Sequence, residues 1–348
     1  MNALRLIRQK LFATPLDTVI TLVLAFLLWR AVVPLIDWAV LDATFRGVSR
    51  ADCVGDGACW VFVKARFGQF MYGLYPVTER WRVDLAGAIL VVSVALLSWK
   101  ALPRRRALAV AALILLPPLG IWLLAGGFGL PYVETREWGG LTLTIFISLY
   151  AALIAIPLGI LLALGRQSRL PIIRMLSIIF IEFWRGVPIV AVIFLASILL
   201  PLIMPAGVGI DRLARAVIGL GLVIAAYMAE AMRGGLQAVP EGQHEAATAL
   251  GLGYWRATGL VVLPQAIRIA LPAMTNEFIS LIKNTSLVLI VSILDLLGIA
   301  QAALADPNWV GMNKEAYAFA GLIYWIGCFG LSRVGLALER NQAKGEKR

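Results

Sequence analysis

The chain has 348 residues, 61% of them hydrophobic and only 15% charged, with a formal net charge of +11 and a mean hydropathy of +0.87. Soluble domains are about 45–50% apolar and about 25% charged, so a water-soluble fold of this length is excluded and lipid is the solvent. The positive charge falls in short segments between apolar runs, as membrane orientation requires, and this placement argues against nucleic-acid binding.

Eight transmembrane helices are predicted, in an all-α polytopic bundle. The first covers Leu16–Ile36. The basic Met1–Lys10 ahead of it reads as part of a signal anchor, because the apolar run is too long for a cleaved leader and lacks a small-residue cleavage site. Arg30, inside this span, is expected to snorkel or to pair with Asp37. A polar stretch, Leu41–Arg82, follows. Its Gly55 and Gly57 let the chain turn back between Cys53 and Cys59, which are either a disulfide in an oxidising compartment or two unrelated thiols. The second span is Asp84–Trp99, the third Ala107–Leu124, and the fourth Leu141–Leu164, which carries no charge. The fifth is Val187–Ile203, the sixth Ala214–Met232, the seventh Asn276–Ile299 and the eighth Ala316–Leu336. Pro157, Pro188 and Pro201 are compatible with these spans, because neighbouring helices in lipid satisfy the freed carbonyls. Trp38, Trp60, Trp81, Trp99, Trp138 and Trp309 read as an interfacial belt. Cys328 reads as a small buried apolar residue.

Basic residues set the sidedness. Arg5, Arg8 and Lys10 precede the first span; Lys100 and Arg104–Arg106 follow the second; Arg166, Arg169, Arg174 and Arg185 follow the fourth. Arg233, Arg256 and Arg268 follow the sixth, and Arg340, Lys344, Lys347 and Arg348 end the chain. In an eight-span chain all of these share one face, the cytoplasmic one, with both termini inside. Leu41–Arg82 then lies outside.

Other chemistry has no residues to carry it. His244 is the one histidine, and Cys53, Cys59 and Cys328 are the three cysteines, so no metal-ligand spacing exists. No GxxxxGK[ST] loop occurs, so P-loop ATP binding is not expected of this chain.

The stretch Arg233–Arg268 is too apolar for a solvated linker. Gln243–Leu250 predicts a helix, with Ala246, Ala247 and Leu250 at i, i+1 and i+4, and Gly251 and Gly253 break it. Tyr254–Leu263 predicts a second helix, closed or kinked by Pro264. Two short helices about a glycine turn make a compact knob.

Glu245-Ala246-Ala247, then Gly251, then Leu263-Pro264 resemble the EAA loop of ATP-binding-cassette importer permeases. Phe183-Trp184-Arg185-Gly186-Val187-Pro188, Tyr227-Met228-Ala229-Glu230-Ala231-Met232-Arg233-Gly234 and Lys283-Asn284-Thr285-Ser286-Leu287 narrow the resemblance to the polar amino-acid permeases, such as the histidine and glutamine permeases. The match covers roughly Gly139–Arg340. The three spans ahead of it resemble those of the general L-amino-acid permeases. The resemblance implies residues 1–138 as an N-terminal extension, 139–340 as a five-span permease core and 341–348 as a basic tail. It implies amino-acid translocation, with two permease subunits forming the pathway, two cytoplasmic ATPase subunits holding ATP and magnesium, and a periplasmic binding protein delivering the substrate. The chain is then not an enzyme and binds no cofactor or metal. The knob becomes a coupling helix docked in a groove of the ATPase. Glu245 offers a carboxylate, Ala246 and Ala247 permit close approach, and Gly251 makes the turn.

Ionisable groups within spans face a cavity or a partner. Asn276, Ser280 and Lys283 or Asn284 recur at i, i+4 and i+7/8, which is one helix face. Glu277 reads as cytoplasmic-end, and Lys283, Asn284, Thr285 and Ser286 as mid-span. Lys283 either attracts a substrate carboxylate, with Asn284, Thr285 and Ser286 adding neutral hydrogen bonds, or it is interhelical glue paired to Glu230 or Asp295. Glu230 and Arg233 are spaced for a local ion pair and, with Arg185, are either structural or part of a gate. A rival reading is an ion-coupled secondary transporter, which would call for inverted repeats and leaves the EAA loop unexplained. A membrane enzyme lacks the acid/base or metal cluster it would need.

Overall fold

The computed structural model describes residues 10–99, 103–205 and 209–345; Arg5, Arg8, Lys100, Lys347 and Arg348 lie outside them. The described chain is an all-α membrane bundle with isolated β-bridges and no named strand. Among the described residues, seven helices are long and apolar enough to cross a membrane, or eight if a sharply bent pair counts as one span. The chain divides into two compact units, Met1–Phe67 with Leu304–Phe319, and Gly68–Ala303 with Ala320–Arg348.

In the first unit, α1 (Pro15–Ile36) starts on a capping box: the Thr14 hydroxyl accepts from Asp17 N–H, and the Asp17 carboxylate accepts from Thr14 N–H. Pro15 fits the first helical position, where its missing N–H costs nothing. No residue of α1 is buried, as suits a helix whose solvent is lipid. Arg30 and Asp37 form no ion pair among the described residues; Pro34 lies between them, and Asp37 opens a π-helical turn, Asp37–Leu41.

The polar stretch after α1 is stapled by a Cys53–Cys59 disulfide with a Cα–Cα distance of 5.6 Å. Thr44 N–H donates to Ala58 O (2.8 Å) and Trp60 N–H to Thr44 O (2.9 Å). Asp52 accepts from the backbone N–H groups of Val48 and Ser49, which hold its carboxyl below the usual carboxylate range. The loop feeds α2 (Trp60–Tyr72). Cys59 N–H donates to Glu315 Oε1 (3.0 Å), Arg66 pairs with Asp306, and Phe62 meets Trp309 with ring centroids 5.6 Å apart. Trp309 is therefore buried, at 6% exposure, and is no belt residue.

The second unit carries the rest. α3 (Arg80–Ser98) and α4 (Arg105–Ala125) form a hairpin. Arg82 is fully buried, paired to Glu79 (3.0 Å) and donating to Pro131 O (3.0 Å). α5 (Gly140–Arg166) and α8 (Arg212–Gln237) form the centre. Glycines let their backbones approach: a Cβ on Gly159 would lie 2.6 Å from Met228 Cβ, and one on Gly221 3.0 Å from Ile154 Cβ. With no hydrophobic drive between helices in lipid, such small-residue packing is what holds them. Trp138, just ahead of α5, is buried edge-on to Phe146, so it too departs from the belt reading.

The predicted fifth span is half of a broken pair. α6 (Pro171–Gly186) and α7 (Ile189–Ile203) meet at 102°. α7 alone, at ~1.5 Å per residue, falls short of a ~30 Å hydrocarbon core. The segment carrying Arg174 and Arg185 is α6, the first helix of the pair. α8 is capped by Asp211, which accepts from Leu213 and Ala214 N–H.

The seventh span begins far earlier than Asn276 and stops before Ile299. α9 (Glu241–Ala249) is followed by α10 (Tyr254–Ala257), a π-helical turn (Thr258–Val262), α11 (Leu263–Asn284) and a 3-10 turn (Thr285–Val291). From Tyr254 to Val291 the chain is one helical span. It ends at Ser292, whose φ is +58°. Asp295 then N-caps α12 (Leu296–Leu304) by accepting from Gly298 N–H (3.0 Å). α13 (Asn313–Gly345) is the last helix.

Candidate functional site

The knob is built as follows. α9 ends in a Schellman motif: Leu252 N–H donates to Ala247 O (3.1 Å) and Gly251 N–H to Thr248 O (2.9 Å). Gly251 has φ +77°, and a Cβ there would touch nothing within 4 Å. The glycine is needed for its backbone conformation alone. Pro264 does not close the next helix. It sits in the first turn of α11, with the π-helical turn directly ahead of it and helix on both sides.

The knob's outward side carries Glu245, Ala246 and Leu250, the last 81% exposed, with Trp255 beyond the turn at 78%. Ala247 points the other way and is buried at 2% exposure. Of the two alanines, then, only Ala246 is open to a partner. Gln265 of α11 donates to Gln243 of α9 (3.0 Å) and to Val261 O (3.0 Å). These bonds tie the knob to the transmembrane helix. Leu263 is half-buried and Pro264 exposed.

On α11, Asn276 and Lys283 are exposed, and Ser280 and Asn284 half-buried. Asn284 Nδ2 donates to Ser280 Oγ at 3.4 Å. Thr285 leaves this face: it is buried, its hydroxyl donates to Ile282 O (2.8 Å) and lies 3.4 Å from the Tyr324 hydroxyl. Ser286 Oγ donates to Lys283 O (2.8 Å). The longer span also moves these residues. Glu277 stands about two-thirds of the way along Tyr254–Val291 instead of near an end, and Lys283–Ser286 in its last quarter.

Neither carboxylate considered for Lys283 holds it. Asp295 accepts from the Tyr324 hydroxyl (2.6 Å) and caps α12. Glu230 belongs to arginines: Arg166 at 2.7 Å, Arg233 at 3.0 Å and Arg185 at 3.9 Å. Among the described residues Lys283 forms no ion pair.

The Glu230 cluster joins three helices at their basic ends. Arg166 comes from the last turn of α5 and also meets Glu182 of α6 (3.1 Å). Arg185 lies over the Tyr227 ring of α8, 5.7 Å from its centroid. Arg233 donates onward to Gln237 (2.7 Å). The local Glu230–Arg233 pair was legible from its i, i+3 spacing. Arg166 and Glu182 were not: Arg166 reads equally well as an orienting charge, and 64 residues separate it from Glu230.

Residues 155–344 match the family of binding-protein-dependent transport system inner membrane components. The chain is 51% identical over 335 residues to the inner membrane amino-acid ABC transporter permease protein YhdY of Escherichia coli, covering 96% of this chain and 91% of that protein. It is 35% identical over 409 aligned residues to the glutamate/glutamine/aspartate/asparagine transport system permease protein BztC of Rhodobacter capsulatus, covering 98% and 94%. Both relatives thus match the N-terminal extension as well as the core. A crystal structure of an amino acid ABC transporter with histidines is similar at a TM-score of 0.52 and 30% identity, over 58% of this chain and 92% of that one. With the knob, the spans and these likenesses together, the chain belongs to the binding-protein-dependent transport system inner membrane components, the permease subunits of ATP-binding-cassette importers.

Proposed function

We propose that this permease carries amino acids inward across the bacterial inner membrane, with both termini cytoplasmic. Cytoplasmic ATPase subunits that hold ATP and magnesium drive it, a second permease subunit, different from this chain, completes the pathway, and a periplasmic amino-acid-binding protein delivers the substrate. The chain itself performs no catalysis. The observation that carries this reading is the knob: a short helix with an open Glu245–Ala246–Leu250 side, ended by a Gly251 turn and hydrogen-bonded to α11. The knob fits a groove on the ATPase. When the ATPases close on ATP, the push enters α11 through the Gln243–Gln265 contact and the continuous helix from Tyr254, and this shifts the pathway between inward- and outward-open states.

The pathway face on this reading is Asn276, Ser280, Lys283 and Asn284. An uncompensated cation in a span is costly, by roughly 2.5–3.5 kcal/mol on insertion scales, so an exposed Lys283 is retained for a carboxylate that arrives and leaves. Thr285 and Ser286 hold the helix end beside it. The Glu230 cluster ties α5, α6 and α8 at the cytoplasmic end, where it can act as a gate. The test is purification from native membranes with identification of the accompanying chains, then uptake into vesicles loaded with ATP. ATP-dependent amino-acid uptake with a co-purifying P-loop ATPase is expected. Uptake driven by an ion gradient, without such a partner, would replace this reading with a secondary transporter.

A further inference from the structure

A cleft of about 470 Å³ opens between the α3–α4 hairpin and α5. The hairpin is fastened at the end away from Arg104. There the Tyr75 hydroxyl donates to Leu124 O (2.7 Å), Arg82 donates to Pro131 O (3.0 Å), and Leu123 and Leu124 are buried. Midway, the Tyr150 hydroxyl of α5 donates to Pro117 O of α4 (2.6 Å). Toward Arg104 the facing walls are apolar: Leu97, Ala112 and Leu116 on the hairpin, Leu149, Leu153 and Ile156 on α5.

The two polar side chains on the cleft wall with hydroxyls are already committed, Tyr150 to Pro117 O and Thr142 to Met71 O (2.8 Å). The cleft therefore offers an occupant dispersion contacts and no free hydroxyl. Its walls are membrane-spanning segments, so what reaches it is a hydrocarbon chain. A cation stands beyond one end, outside the residues that line the cleft. Arg104 is the exposed N-cap residue of α4, five positions before the wall residue Ala109, or ~7.5 Å along a helix axis. A guanidinium there is a phosphate ligand.

We propose that the cleft holds an acyl chain of one anionic phospholipid, with its phosphate on Arg104, and that this lipid packs the N-terminal hairpin onto the permease core. Phe278 of α11 forms part of the same wall. It is the neighbour of Glu277 and lies between Asn276 and Ser280, so the lipid bears on the helix that carries the polar face.

The intact permease–ATPase complex is placed in phosphatidylcholine vesicles containing trace phosphatidylglycerol or trace phosphatidylcholine, each with a photoreactive group on the acyl chain. Peptides from the α4 and α5 walls should be labelled about fivefold more by phosphatidylglycerol, the discrimination one arginine gives near a membrane surface. Arg104→Gln should bring the two labels level. Ala112→Trp should fill the cleft and remove wall labelling while α1 stays labelled. Leu149→Trp fills it from the opposite wall should the first variant fail to assemble, and the wild-type comparison of the two lipids decides without either. Equal wall labelling by the two lipids, wall labelling no stronger than that of α1, or photolabelling of the wall replaced by its cross-linking to another protein chain would overturn the proposal.

Discussion

Gly251→Val isolates the knob's turn from everything else in the chain. The Gly251 φ of +77° lies in the left-handed region, and a Cβ there meets no atom within 4 Å. The whole effect is then conformational. An L-residue pays roughly 1–2 kcal/mol for the left-handed region, a factor of about 5–30 in the population of the native turn, and a β-branched residue pays more. Gly253 is the control: its φ is −66° with ψ 161°, a region any residue adopts, and its Cβ would also meet nothing. Gly253→Ala should leave transport unchanged. Gly251→Ala should lower ATP-driven uptake several-fold, and Gly251→Val should abolish it, with permease abundance in the membrane held. The assay is uptake into vesicles normalised to permease, with ATPase co-purification measured on the same preparation. Normal uptake and normal ATPase association in Gly251→Val would refute the coupling role of this turn.

Other outcomes follow from the same geometry. Lys283→Met should spare abundance and reduce uptake more for acidic and neutral amino acids than for basic ones; unchanged normalised uptake for all of them would remove Lys283 from the pathway. Glu230→Gln strips the charge shared by Arg166 and Arg233, side chains 26–32% exposed, and should cost about 1–3 kcal/mol in detergent-solubilised stability. Arg166→Gln added to it should cost little more, and full additivity would deny the cluster. Gly235→Ala should destabilise by roughly 1–3 kcal/mol through overpacking, because its Cβ would lie 2.4 Å from Ala266 O. The adjacent Gly234→Ala, which meets nothing, should be neutral or mildly stabilising, and equal effects at the two positions would contradict the α8–α11 packing.

Apolar runs made most spans legible, because a bilayer selects them by length and composition alone. The knob was legible through Gly251, whose role is local. What failed was non-local or depended on bending. α6 carries charges among its apolar residues and lies at 102° to α7, so composition marks no span there. α11 continues through Pro264 because a π-helical turn precedes it, and proline by itself suggests a stop. The break at Ser292–Asp295 rests on a serine at positive φ and an N-cap aspartate, and the hydrophobic sequence on both sides hides it. Trp138 and Trp309 look like belt residues in sequence and are buried by contacts with Phe146 and Phe62. Whether Glu230 or Asp295 holds Lys283 depends on the other partners of those carboxylates, Arg166 and Tyr324, which are distant in sequence.

Site-directed cross-linking from the knob tests the central claim most directly. Single cysteines placed by Ala246→Cys, Leu250→Cys and Ala247→Cys, in a chain with Cys328→Ser and the Cys53–Cys59 disulfide left intact, are treated with a short cross-linker in membranes. The account predicts that Ala246→Cys and Leu250→Cys capture a P-loop ATPase, that the buried Ala247→Cys does not, and that capture changes on adding ATP. Failure of both exposed positions to capture an ATPase, in a permease that still imports, would contradict it.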